Sequence, residues 1–262
     1  MKNKFFINQI EPLFETEEKR SLNKYMSSNA WLTEYEKTYA FEKMIAEYTN
    51  SKYCIMTNNG TISLTLIALA LGFSKGDEII VPNYTMIATA NSIKLIGAKP
   101  VFVDVEEDTL CLDLKLLKNK INQRTKAIFL VSPNGRYPLE KIEEYKKLCK
   151  KNNIFLVEDA AQSLGSYYPN GNHIGTEGIA GAFSLSVPKI ISTGQGGMVV
   201  TNDEKIAKKM MKIKDFGRKK GGIDIHNVIG YNFKFTDLQA VVGIEQLKKI
   251  NKRISLKKNI YS

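Results

Sequence analysis

Three short stretches of this chain carry residues whose types and spacing could do chemistry together. The first is Gly181 to Gly197, G-A-F-S-L-S-V-P-K-I-I-S-T-G-Q-G-G, where an alternating apolar run over 182–187 delivers a flexible cation, Lys189, into a glycine-rich turn. The second is the apolar run Ile154-Phe155-Leu156-Val157, closed by Glu158 and Asp159, with the amide Gln162 three residues after Asp159. The third is the turn Asn58-Asn59-Gly60 followed by Thr61. Each has a plain alternative: a solvated lysine at a strand end, a turn-forming aspartate, a glycine turn that binds nothing. Together they offer an amine that can form an imine and an acid that can keep a ring nitrogen protonated. They also offer an amide donor, and amides and hydroxyls for a phosphate.

These groups depend on the elements between them. Residues 17–26 and 37–48 mix polar and apolar residues at helical period, on either side of a loop carrying Trp31, the one tryptophan. Residues 52–57 read as a strand and Thr61 to Leu71 as an apolar helix. That is a strand, glycine turn and helix start, where the first amides are unpaired and the dipole favours an anion. Glu78 to Pro82, Val101 to Val105, Thr125 to Val131 and the run ending at Asp159 read as buried strands. Thr85 to Leu95 and Leu139 to Lys151 read as helices between them. Short apolar strands separated by helices predict a mostly parallel sheet covered on both faces, with ligands beyond the strands' carboxyl ends. Gly60-Thr61, Asp159-Gln162 and Ser184-Lys189 all fall at such ends. Pyridoxal 5'-phosphate needs that set of groups.

Composition narrows the alternatives. A chain of 262 residues with 43% hydrophobic content can bury a large core, and no apolar run approaches the ~20 residues of a membrane span. The start, Met1 to Phe6, lacks the apolar stretch of a secretory signal, so a cytoplasmic protein is expected. Three scattered cysteines and two histidines give no metal-type spacing. The net charge of +11 is entirely C-terminal: residues 205–262 hold fifteen Lys and Arg against four Asp and Glu. Apolar residues recur at helical spacing within 205–214 and 246–254, so the lysines read as solvated helix faces rather than a nucleic-acid surface. An anionic small substrate is compatible with either.

The chain resembles the nucleotide-sugar aminotransferases of the DegT/StrS type, fold-type-I enzymes dependent on pyridoxal phosphate. The matching pieces are W-L-T at 31–33, N-N-G-T at 58–61, G-D-E-I-I-V-P at 76–82, G-A-K-P-V-F-V-D-V at 97–105, E-D-A-A-Q-S-L-G at 158–165, the F-S-L-S-V-P-K segment and G-Y-N-F-K-F-T-D-L-Q-A at 230–240. The resemblance implies a three-layer α/β/α fold with a mostly parallel, mixed central sheet. It implies Lys189 as the Schiff-base lysine and proton shuttle, Asp159 at the pyridinium nitrogen, and Gln162 near the phenolic oxygen. Gly60, Thr61 and Ser184 would hold the phosphate, completed by Asn232 from a neighbouring subunit of a homodimer. Dehydratases of the family carry histidine in place of the lysine, so Lys189 implies amino transfer. The implied reaction moves an amino group from glutamate to a nucleotide-linked keto-deoxy sugar, in polysaccharide or glycan biosynthesis. S-V-P-K and N-F-K-F-T-D look closest to perosamine-type 4-aminotransferases.

The pattern departs from the family in three places. Met86 stands where an aromatic usually stacks on the cofactor ring, with Tyr84 as its possible helper. Ser132 replaces the usual histidine after the strand ending at Val131. The expected division is an N-terminal helical segment over 1–34, a large cofactor-binding domain over 35–240, and the start of a connecting helix over 241–262. Third, the family continues past that helix into a small domain of about 100 residues by ordinary domain sizes, which this sequence, ending at Ser262, is expected to lack. A truncated chain serving as a dimerisation or interaction module is therefore the alternative reading.

Overall fold

The computed structural model describes residues 11–219 and 221–261; the first ten residues of the expected N-terminal segment, including the stretch read for a signal, lie outside it. Two helices come first, α1 (Thr16–Met26) and α2 (Glu36–Thr49), followed by β1 (Tyr53–Thr57), α3 (Gly60–Leu71), β2 (Glu78–Pro82), α4 (Ala88–Leu95) and β3 (Lys99–Val103). Then come α5 (Leu114–Lys118), β4 (Thr125–Val131), α6 (Ile142–Asn152), β5 (Phe155–Asp159), β6 (Ala180–Ser184), β7 (Gly197–Thr201), α7 (Glu204–Lys214), α8 (Asp237–Lys248) and α9 (Ile250–Tyr261). None of the helices among the described residues is long and apolar enough to cross a membrane.

The strands form one sheet in the order β1-β7-β6-β5-β4-β2-β3, parallel throughout except that β7 runs antiparallel to both of its neighbours. The expected mixed sheet is thus present. Side chains alternate between its faces, which sorts them into two cores. Met56, Ile80, Ile128, Met198 and Val200 join Phe41 and Ile45 of α2 and Tyr145 of α6 on one side. Ile55, Val81, Phe129 and Val199 join Leu64 and Ile67 of α3, Ile93 of α4 and Met210 of α7 on the other.

Some elements differ from the sequence expectation. β3 begins at Lys99 rather than Val101 and is the edge of the sheet, where Phe102 is exposed and Pro100 removes no needed donor. The run read as a strand to Val187 leaves the sheet at Ser184, because the Ser186 amide turns back to donate to Ser184 Oγ at 3.3 Å. Residue 240, where the sequence reading divides the chain, lies inside α8, which packs on both α1 and α2.

The C-terminal lysines are also not all solvated. Lys214 is buried and meets Glu34 at 2.9 Å and Glu42 at 3.2 Å, while also donating to the Met56 carbonyl at 3.0 Å. Lys249 lies 2.8 Å from Glu15 and 2.6 Å from Glu18. Part of the C-terminal positive charge therefore faces N-terminal acids. Asp237, the first residue of α8, is fully buried and accepts from the amides of Tyr35, Lys37 and Thr38 at 2.8–2.9 Å, which supplies α2 with the cap that Tyr35 lacks.

Candidate active site

The topology decides where the site lies. Because β7 alone is reversed, the carboxyl ends of β1, β4, β5 and β6 and the start of β7 meet along one edge. Within that edge, Thr57, Gly197 and Ser184 stand side by side on β1, β7 and β6. A Cβ on Gly197 would come within 2.4 Å of the Asn59 backbone, so only glycine lets the turn before α3 close down on β7. Asn59 then caps α3 by accepting from the Ile62 amide at 2.9 Å. The Gly60 and Thr61 amides remain at the mouth of the helix.

A Cβ on Gly60 would lie 3.0 Å from Ser184 Cβ, so the amide pair and the Ser184 hydroxyl form one cradle. Ser186, which the sequence reading did not single out, adds a second hydroxyl 3.1 Å from Ser184 Oγ.

Lys189 follows in a tight turn, its amide donating to the Ser186 carbonyl at 3.1 Å. The excursion carrying it is closed at its neck, where the Leu185 amide donates to Gly196 O and the Thr193 amide donates to Leu185 O. Buried Leu185 and Ile191 anchor it. Lys189 is half-buried; desolvation holds its amine below the usual lysine range, opposed by the nearby charge of Asp159.

Asp159 ends β5 and is 6% exposed. Burial raises its pKa, and hydrogen bonds from Thr89 and the Ala161 amide, together with the Lys189 charge, work against the rise. Thr89 Oγ1 donates to Oδ2 at 2.6 Å and the Ala161 amide to Oδ1 at 3.2 Å. Thr89 was not legible as a site residue: a threonine in a helix looks like filler until the fold sets it against β5. Gln162 Oε1 accepts from the Asn134 amide at 2.6 Å, so its NH2 is the end available to a ligand oxygen.

The structure gathers Gly60, Thr61, Met86, Asp159, Gln162, Ser184 and Lys189 around one cleft of about 870 Å³, with Ser132 and Tyr84 also on its walls. Met86 and Tyr84 are both exposed there. Asn232 is not among the lining residues; it is exposed and bridges to Asp215 through the backbone.

These groups fit pyridoxal phosphate. Two helix-start amides with Ser184 and Ser186 suit a phosphate, a buried carboxylate with hydrogen-bond partners suits a ring nitrogen, and an amine of lowered pKa in the same cleft suits the aldehyde. The sheet and the site together define a fold-type-I pyridoxal-phosphate enzyme.

The chain belongs to the DegT/DnrJ/EryC1/StrS aminotransferase family, whose model matches residues 12–262. It is 37% identical over 255 residues to the GDP-perosamine synthase of Escherichia coli O157:H7, covering 97% of this chain and 69% of that protein. The aminotransferase of Psychrobacter cryohalolentis superposes with a TM-score of 0.85 at 35% identity, over 91% of this chain and 62% of the other. A GDP-4-keto-6-deoxymannose-3-dehydratase with a trapped PLP-glutamate geminal diamine superposes with a TM-score of 0.84 at 29% identity, over 94% and 69%. The chain thus spans roughly two thirds of the length of these relatives.

Proposed function

We propose that this chain transfers an amino group from glutamate to a keto-deoxy sugar carried on a guanosine diphosphate, in the manner of a perosamine-forming 4-aminotransferase. The observation that carries the reading is a half-buried lysine and a buried aspartate in the same cleft as a phosphate-type cradle. The similarity to a GDP-perosamine synthase supports the sugar and its nucleotide, and the glutamate adduct in a relative supports the donor.

In this reading the bound cofactor supplies an electron sink for the carbon that loses a proton. Asp159 holds the ring-nitrogen proton. Gly60, Thr61, Ser184 and Ser186 bind the phosphate and fix the ring's distance from Lys189. Gln162 would offer its NH2 to the phenolic oxygen, and Met86 with Tyr84 would pack against the ring. Lys189 Nζ, its pKa lowered by burial, would take up the proton leaving the donor carbon and hand it on within the cleft rather than back to that carbon.

Asn232 would act in the site of a second copy. Its exposure supports this, as do the exposed apolar residues Ile225, Ile229 and Tyr231 just before it. Three free cysteines agree with work in a reducing cytoplasm.

The test is to incubate the protein with pyridoxal phosphate, glutamate and GDP-4-keto-6-deoxymannose and analyse the nucleotide sugars by mass spectrometry. An amino sugar formed at the expense of glutamate is expected. Unchanged keto sugar with a cofactor-loaded protein would exclude the reading.

A further inference from the structure

One buried hydroxyl behind the cleft wall is not explained by packing alone. Thr89 is 0% exposed and sits in the first turn of α4, where three of its groups are engaged at once. Its hydroxyl donates to Asp159 Oδ2 at 2.6 Å, its amide donates to the Met86 carbonyl at 3.0 Å, and its carbonyl accepts from Ser92 Oγ at 2.8 Å. The Thr85 hydroxyl lies 2.8 Å from Thr89 Oγ1.

A hydroxyl has one proton to give. An ionised carboxylate takes that of Thr89, so Thr89 must accept from Thr85 and the chain runs Thr85 to Thr89 to Asp159. Thr85 lies between Tyr84 and Met86 on the cleft wall. The chain of hydroxyls thus ties the carboxylate to the Tyr84–Met86 segment of the cleft wall.

We propose that Thr89 is a positioning residue for Asp159: its hydroxyl holds the carboxylate ionised and turned toward the cleft, and its amide keeps the Tyr84–Met86 segment in register with it. This rests on Asp159 being the partner of the cofactor's ring nitrogen. With Oδ2 engaged by Thr89 and Oδ1 by the Ala161 amide, rotation of the carboxylate would break both bonds. Lys189, in the same cleft, is the charged group whose field favours the ionised Asp159, and burial acts against it. Loss of the Thr89 hydroxyl therefore favours a protonated Asp159, which cannot hold a proton on the ring nitrogen.

Thr89→Val keeps the shape and removes the donor, and Thr89→Ser restores the donor in a smaller side chain. The measurements are the affinity of the apo protein for pyridoxal phosphate by fluorescence and the pH dependence of the bound cofactor's visible absorption. Thr89→Val should bind about tenfold more weakly, the effect expected of a lost hydrogen bond to a charged group, with the acid limb of the absorption titration moved to higher pH. Thr89→Ser should return both toward wild type. Thr85→Val, which leaves the Thr89 bond in place, should shift the titration in the same direction by less.

Wild-type affinity and titration in Thr89→Val would overturn the proposal, as would a Thr89→Ser variant as impaired as Thr89→Val. If Thr89→Val does not fold, an unshifted titration in Thr85→Val overturns it. Failure of the wild-type protein to bind pyridoxal phosphate at all would instead remove the reading of the site on which the proposal rests.

Discussion

Ser184 stands so close to Gly60 that a side-chain carbon on the glycine would sit 3.0 Å from Ser184 Cβ. The end of β6 and the start of α3 therefore share one wall of the cleft, and the helix-start amides and the serine hydroxyl are placed to act on the same ligand group. Gly60→Ala should force the two apart by a few tenths of an ångström. Affinity for pyridoxal phosphate should fall about tenfold, the scale of one impaired hydrogen bond to a charged group. Affinity for pyridoxal, which lacks the phosphate, should hardly change. Equal losses for both ligands, measured by equilibrium fluorescence, would show that the wall does not serve the phosphate.

Asp159→Asn keeps the size of the side chain and its contact with Thr89 but removes the charge. An amide cannot keep a ring nitrogen protonated, while Lys189 is untouched. Single-turnover amino transfer from glutamate should slow by about a hundredfold or more, on the scale of other lost electrostatic contacts in active sites. The cofactor should still attach to Lys189. Transfer at the wild-type rate would remove Asp159 from the mechanism.

The pH dependence of cofactor capture follows from Lys189. Burial disfavours its charged form and lowers its pKa, whereas Asp159 favours the charged form. Capture needs the neutral amine, so its rate should rise with pH and reach half its maximum below the range of an ordinary lysine. In Asp159→Asn the raising influence is gone and the midpoint should move lower still. Stopped-flow absorbance across a pH series measures both midpoints, and a higher midpoint in the variant would contradict this electrostatic account.

Lys214 tests the scaffold rather than the chemistry. It is buried between Glu34 and Glu42, and burial pushes the Glu42 carboxyl upward against the pull of the lysine. Lys214→Met leaves two acids without a cation and should destabilise the fold by about 3–5 kcal/mol, as breaking buried ion pairs does elsewhere. Glu42→Gln in the Lys214→Met background should recover part of the loss. Chemical denaturation curves for the wild type and both variants decide it.

The strands β1, β2, β4 and β5 and the helix α3 were legible because each is an apolar run closed by glycine, proline or a carboxylate. Asp159 and Lys189 could be singled out because each breaks such a run. β7 was not singled out, although Met198-Val199-Val200 is a short apolar, partly β-branched run just after the glycine turn. Lys214 was read as solvated, although it falls seven residues after Ala207 and four after Met210, on the buried stripe of α7. Helical spacing could have shown that much. Thr89 and Ser186 could not be found from local sequence, because their roles exist only where α4 meets β5 and where the chain turns back on Ser184.

The proposed chemistry requires that Lys189 carry the cofactor. Incubation with pyridoxal phosphate, borohydride reduction and peptide mapping should place a single pyridoxyl group on Lys189, and Lys189→Ala should take up none. A stable adduct on another lysine, or an unlabelled Lys189 in protein that binds the cofactor, would contradict it.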